Sequence, residues 1–283
     1  DIEYLALDVL CALLPLARPR LLMDGKDIVY KIILPILERK RSNELVVETC
    51  FTALWTLCHD TKVNSNNVSY KEIIGHRKTI ISILDQMSRH LGSEGVQEKG
   101  CMTLWLLSEV YDIKFLIADL NGVTTILIAL QCHLKCLTLQ EAGLGVLTSM
   151  STIPELKDII SDKGGVDVVL CTLWVNVGHE NIVIGGLIAM SNMCVNSKTN
   201  EIDLIGYPEV ELIVVAMMDF RMSSQVQLCA CRLLRNLALA NQNVNLMAIL
   251  IDQLTGALEA AANNFPSECG ERVDFILDRL LSV

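Results

Sequence analysis

Seven twelve-residue stretches of this chain superimpose when laid 43 to 50 residues apart, and no other feature constrains its fold as strongly. They occupy residues 2–13, 46–57, 96–107, 139–150, 182–193, 226–237 and 269–280, with start positions stepping by 44, 50, 43, 43, 44 and 43. Within the block, positions 1, 5, 9 and 12 are apolar or small, which places them on one stripe of a helix. Position 5 is small in six of seven copies: Ala6, Cys50, Gly100, Gly143, Gly186 and Ala230. A mid-helix glycine costs about 1 kcal/mol of helix propensity. Close approach of a neighbouring helix is a reason to accept that cost in a fixed phase. A period of this length with helical patterning predicts stacked helical units sharing one continuous core.

A second apolar helix is predicted upstream of each block, over roughly 27–40, 78–91, 122–134, 165–177, 208–220 and 244–261, with Pro35 expected to distort the first. Shorter amphipathic helices are predicted at 112–122 and 155–165, again 43 apart, and none is evident in the first and last units. The polar insertion 61–71 explains the single step of 50. The unit is therefore short helix, long helix, long helix. The composition agrees: 52% hydrophobic but only 5% aromatic residues suits aliphatic packing between helices. Apolar runs such as 32–37 and 212–218 are too short to span a bilayer, which needs about 20 residues.

The eleven cysteines fall mostly where other copies carry Leu, Ala or Gly, a pattern of buried free thiols in a reducing compartment. With no leader pattern at its start, the chain reads as a piece of a larger cytoplasmic or nuclear protein. Net charge is −10, and residues 142–283 hold 8 basic against 16 acidic side chains, a difference of −8. That balance disfavours nucleic acid, whose phosphates need clustered Lys and Arg.

A three-helix unit with Gly164-Gly165-Val166 before its second long helix and Val226-Gln227 through Arg235-Asn236-Leu237-Ala238 in its third resembles the armadillo repeat, with HEAT repeats as the nearest rival. The resemblance implies a single all-α, right-handed α-solenoid over 1–283. It would hold about six repeats near 22–59, 71–109, 110–151, 154–195, 199–240 and 243–283, after a partial one at 1–15. It also implies that the third helices line a groove for an extended peptide. Block positions 3, 7, 10 and 11 then face that groove. The candidate partner-binding residues are Glu48, Thr52, Trp55, Glu98, Met102, Trp105, Leu106, Glu141, Ser149, Ile188, Asn192, Arg232, Arg235 and Asn236. The column Glu48, Glu98 and Glu141 beside Trp55 and Trp105 suits a Lys- or Arg-bearing partner. Import adaptors of the importin-alpha type resemble one another in Trp at position 7 and Asn at position 11. Here position 7 has no Trp, and Asn stands at position 11 only as Asn192 and Asn236, so that role is disfavoured.

Catalytic and cofactor motifs are not evident. Gly143-Leu144-Gly145 sits mid-helix, and Gly164-Gly165 is the turn the repeat requires, so neither makes a phosphate cradle. Cys132, His133 and Cys136 form the densest ligand set, but with no second pair nearby a buried and an exposed cysteine are expected instead of a metal site. The expectation is a non-enzymatic protein-interaction scaffold without cofactor, metal or membrane span, with self-association through an uncapped end as a further property. The alternative is a regulatory, ligand-sensing region of a larger protein, its polar pocket near Arg232, Arg235 and Asn236.

Overall fold

The computed structural model describes residues 27–59, 70–194 and 207–282. The first block and most of the 61–71 insertion lie outside them. Every described element is helical, and no strand occurs among the described residues. The chain divides into two compact units, Asp1–Met150 and Ser151–Val283.

In the first unit, a π-helical turn Ile28–Ile33 runs directly into α1 (Leu34–Arg39). Pro35 cannot donate to the Lys31 carbonyl, and the predicted distortion takes the form of this widened turn just before it. There follow α2 (Glu44–His59), α3 (Tyr70–Ile74), α4 (Arg77–Arg89), α5 (Glu94–Leu107), α6 (Tyr111–Asp119), α7 (Gly122–Cys132) and α8 (Leu137–Met150). Helices α2, α5 and α8 pack side by side in chain order, as do α1, α4 and α7. The core lies between these two rows, where Cys50, Leu54, Leu104, Ile83, Leu130 and Leu147 are fully buried.

The second unit repeats the arrangement with α9 (Pro154–Asp162), α10 (Gly165–Val175), α11 (Glu180–Cys194), α12 (Tyr207–Asp219), α13 (Ser224–Leu237), α14 (Asn241–Ala248), α15 (Ile251–Asn264) and α16 (Pro266–Leu281). One row is α11, α13 and α16; the other is α10, α12 and α15. The helix expected over 244–261 is in fact two. The chain breaks at Ile249 and Leu250, whose N–H groups turn back to the Leu246 and Met247 carbonyls. The last unit therefore has a short helix that is not evident in its sequence, two repeat lengths downstream of Glu155. Similarly, Tyr70–Ile74 is a short helix at the end of the insertion.

Close approach explains the small fifth column. A Cβ on Gly143 would stand 2.5 Å from Leu130 Cδ2, and one on Gly186 would stand 2.5 Å from Leu173 Cδ2. Local signals set the boundaries. Ser223 accepts a hydrogen bond from the Val226 N–H at 3.2 Å, and Pro154 opens α9 where its missing N–H is harmless. Left-handed Asn121 (φ 61°) and Gly164 (φ 77°) turn each short helix into the long one after it. Among the described residues no single helix is long and apolar enough to cross a membrane.

Candidate functional site

Two recurring kinds of backbone-directed polar side chain tie the long helices to their neighbours. Buried Gln97 donates from Nε2 to the Met87 and His90 carbonyls at 2.7 and 2.8 Å. Gln140 does the same to Leu130 and His133 at 2.9 and 3.0 Å, and Gln227 to Met217 and Phe220 at 2.8 and 3.0 Å. In each case block position 2 serves the otherwise unbonded helix-end carbonyl of Met87, Leu130 or Met217, and adds a second donor to the His90, His133 or Phe220 carbonyl, which also accepts the Ser93, Cys136 or Ser223 N–H. In addition, His90 and His133, one repeat apart, place Nε2 2.7 Å from the Arg41 and Leu91 carbonyls of the preceding unit. In the sequence the Val226-Gln227 pair stands only as part of a motif. The recurrence of Gln one residue into three blocks was the legible signal of this device.

Given that anchoring, the stripe at positions 1, 5, 9 and 12 turns inward and positions 3, 7, 10 and 11 turn out. Glu48, Thr52, Trp55, Glu98, Met102, Leu106, Glu141, Ser149, Ile188, Asn192 and Asn236 are half-buried, while Trp105, Arg232 and Arg235 are exposed. Ser191 at position 10 is the exception, fully buried. The candidate residues of α2, α5 and α8 thus share one face of the first unit, and those of α11 and α13 one face of the second.

Several candidates are already engaged. Trp105 is 43% exposed, yet its indole lies across Gly145 of α8. Trp55 meets the His59 ring edge-on at 4.9 Å between centroids. The Glu48 carboxylate leans over Gly95 in the first turn of α5, where a Cβ would stand 2.3 Å from its Oε2. Glu98 leans the same way on the start of α8: its Oε2 accepts from Cys136 Sγ at 3.8 Å, and Oε1 accepts from Lys99 Nζ at 2.6 Å. Burial alone would raise the Glu98 pKa, but hydrogen bonds from Lys99, Thr138 and Cys136 together with the Lys99 charge lower it. Both glutamates sit where a helix N-terminus favours negative charge. Two members of the acidic column are therefore engaged at the first turn of the next helix, which spacing alone does not reveal.

Position 11 links neighbouring repeats. Ser149 Oγ donates to the Ser108 carbonyl at 2.8 Å, Asn236 Nδ2 to the Ser191 carbonyl and Oγ at 3.2 and 3.0 Å, and Arg279 Nε to the Ala238 carbonyl at 3.0 Å. Asn192 donates to Ser151 Oγ at 3.2 Å and accepts from Arg232 Nη2 at 3.2 Å. The Arg235 guanidinium lies over the Phe275 ring, 5.2 Å from its centroid.

Cys132, His133 and Cys136 do not converge: Cys132 is exposed, Cys136 is buried beside Glu98, and the His133 ring is spent on the Leu91 carbonyl. Among the described residues no cluster of three His, Cys, Asp or Glu is arranged for a metal ion. Near Arg232, Arg235 and Asn236, where a ligand-sensing region would carry a polar pocket, Arg232 and Asn236 are hydrogen-bonded to α11 and Arg235 lies on Phe275. A cleft of about 330 Å³ does occur in the other row of helices, between α12 and α15, floored by Met217, Ala257 and Ala261.

No protein-family profile matches the chain, and no curated protein does. Among solved structures, a crystal structure of an engineered protein superimposes with a TM-score of 0.70. It covers 92% of this chain and 98% of its own at 16% identity, so the likeness is one of fold.

Proposed function

We infer that this chain is a non-enzymatic protein-interaction scaffold, an armadillo-like right-handed α-solenoid of about six repeats that holds an extended peptide along its third helices. The reading rests on one observation. In five successive blocks the same four positions stay accessible, Ser191 excepted, while the stripe behind them is fully packed. A periodic face of this kind suits a partner that is itself periodic, as an extended chain is. On α2, α5 and α8 the face combines Trp55, Trp105 and Met102 with Glu48 and Glu141, which suits apolar and Lys- or Arg-bearing side chains. The ten described cysteines are free thiols, in keeping with a cytoplasmic or nuclear setting.

The test is photocrosslinking. A benzophenone amino acid placed at Thr52, Met102 or Ile188 should capture a partner from native extract, whereas placement at Lys78, Gln131 or Glu259 in the other row should not. Capture from the second set alone would move the binding surface to the opposite side.

A further inference from the structure

Helix α13 of the second unit carries two arginines that no carboxylate among the described residues pairs with. Arg232 and Arg235 stand one turn apart on α13, both exposed. Among the described residues, neither guanidinium has a carboxylate oxygen within 4.0 Å. Residues 142–283 nevertheless carry 16 acidic side chains against 8 basic ones. Exposed Glu271 and Asp278 lie on the same face of α16, and neither forms an ion pair with Arg232 or Arg235.

What holds the arginines is neutral, and it holds them apart. Arg232 is drawn toward α11 by the Asn192 oxygen at 3.2 Å, and Asn192 is itself fixed by Ser151. Arg235 is drawn toward α16 by the face of Phe275. A cation fixed by an amide oxygen and an aromatic ring keeps donors to spare, because a guanidinium carries five N–H groups in a rigid fork. Because the two forks lean to different neighbours, they do not close on a single tetrahedral anion. They offer two separate planar sites, each matched to one carboxylate.

The geometry points to the face of α11, α13 and α16 as a docking site for an extended acidic peptide segment, with two carboxylate side chains on alternate residues meeting Arg232 and Arg235. Alternate side chains of an extended strand share one face and recur about every 6.6 to 6.8 Å. Arginines at i and i+3 have Cβ atoms about 5–6 Å apart and then splay outward, which brings the spacings into register. Half-buried Ile188 and Leu228 beside them accept the small or apolar residues between the acids. The assignment deepens the groove reading above and depends on it.

The experiment is fluorescence anisotropy with labelled synthetic peptides that differ only in one pair of alternate residues: Glu-x-Glu, Gln-x-Gln, Lys-x-Lys, and a single phosphoserine in place of the pair. The full chain is used, with R232Q/R235Q and R232K/R235K for comparison, and thermal melts check that each variant folds. Glu-x-Glu should bind best, weaken as salt rises, and lose affinity about tenfold in R232Q/R235Q, as expected for two partly exposed charge pairs, with partial recovery in R232K/R235K. Three results overturn the assignment: no binding of Glu-x-Glu, tighter binding of the single phosphoserine, or binding indifferent to the double substitution. A Gln-x-Gln peptide that binds as well and crosslinks at Ile188 removes the acidic specificity but leaves the groove standing. An acidic peptide that crosslinks only at Glu259 removes both.

Discussion

The indole of Trp105 on α5 rests on Gly145 of α8, so closely that a Cβ on the glycine would stand 2.4 Å from the indole Cε2. Gly143, two residues earlier, is as tightly placed against Leu130, but there the neighbour is wholly buried. The pair separates a glycine that shapes the outer face from one that lets the rows pack.

Gly145→Ala should therefore cost little stability, because a 43% exposed indole can swing outward and alanine improves helix propensity by about 1 kcal/mol. Its signature is a red shift and altered quenching of tryptophan fluorescence, which Trp105→Phe in the same background should abolish. Gly143→Ala cannot relieve its clash that way. Overpacking of about 1–3 kcal/mol against a propensity gain of about 1 kcal/mol predicts a net loss near 1 kcal/mol in urea titration.

Gln140→Ala strips the side-chain donor from the Leu130 carbonyl, and one of two donors from the His133 carbonyl, and should cost about 1–3 kcal/mol. Gln140→Glu, nearly isosteric, should cost more at neutral pH, since it sets a carboxylate against two carbonyl oxygens. Chemical denaturation of the two variants checks the order, and equal midpoints would contradict the capping role.

Glu98 has a folded-state pKa below its ordinary 4.5. For a lowered carboxylate, the stabilisation is fully present above the unfolded pKa and is lost as pH falls through the folded value. Wild type should therefore lose stability faster than Glu98→Gln as pH drops below about 4.5, and the two should run parallel above pH 6. Thermal melts from pH 3 to 7 are the measurement. Parallel curves throughout would mean that Lys99, Thr138 and Cys136 do not hold the carboxylate in solution.

Thiol labelling should be sharply uneven. Cys132 and Cys171 are exposed and should react first with a thiol reagent. Cys58 and Cys101 are buried, with pKa values pushed up to about 12 mainly by desolvation, so they should label only as the protein opens. Timed mass spectrometry distinguishes the classes, and early modification of Cys101 would place a gap between α5 and α8.

Periodicity is a property of the chain itself, so it determined which residues face the core. Every described residue at block positions 1, 5, 9 and 12 is buried except half-buried Leu277, because a helix whose apolar residues lie on one stripe lowers its free energy only by turning that stripe inward. The outward phase of Trp105, Met102, Arg232 and Arg235 followed from the same constraint. Helix breaks without glycine or proline were not legible. The turn at Ile249 and Leu250 lies within residues that would pass for a continuous helix, and the packing of α14 and α15 against α16 decides it. Nor could spacing show what each outward residue touches. That Glu48 and Glu98 lean on the next helix's first turn, that Asn236 ties to Ser191, and that Arg232 and Arg235 meet Asn192 and Phe275 all depend on which residue of a neighbouring repeat arrives within a few ångströms. One turn of slip between helices would change every such contact and leave the hydrophobic pattern intact. The repeat thus sets the direction of each side chain, while inter-helix register, known only from the tertiary structure, sets its partners.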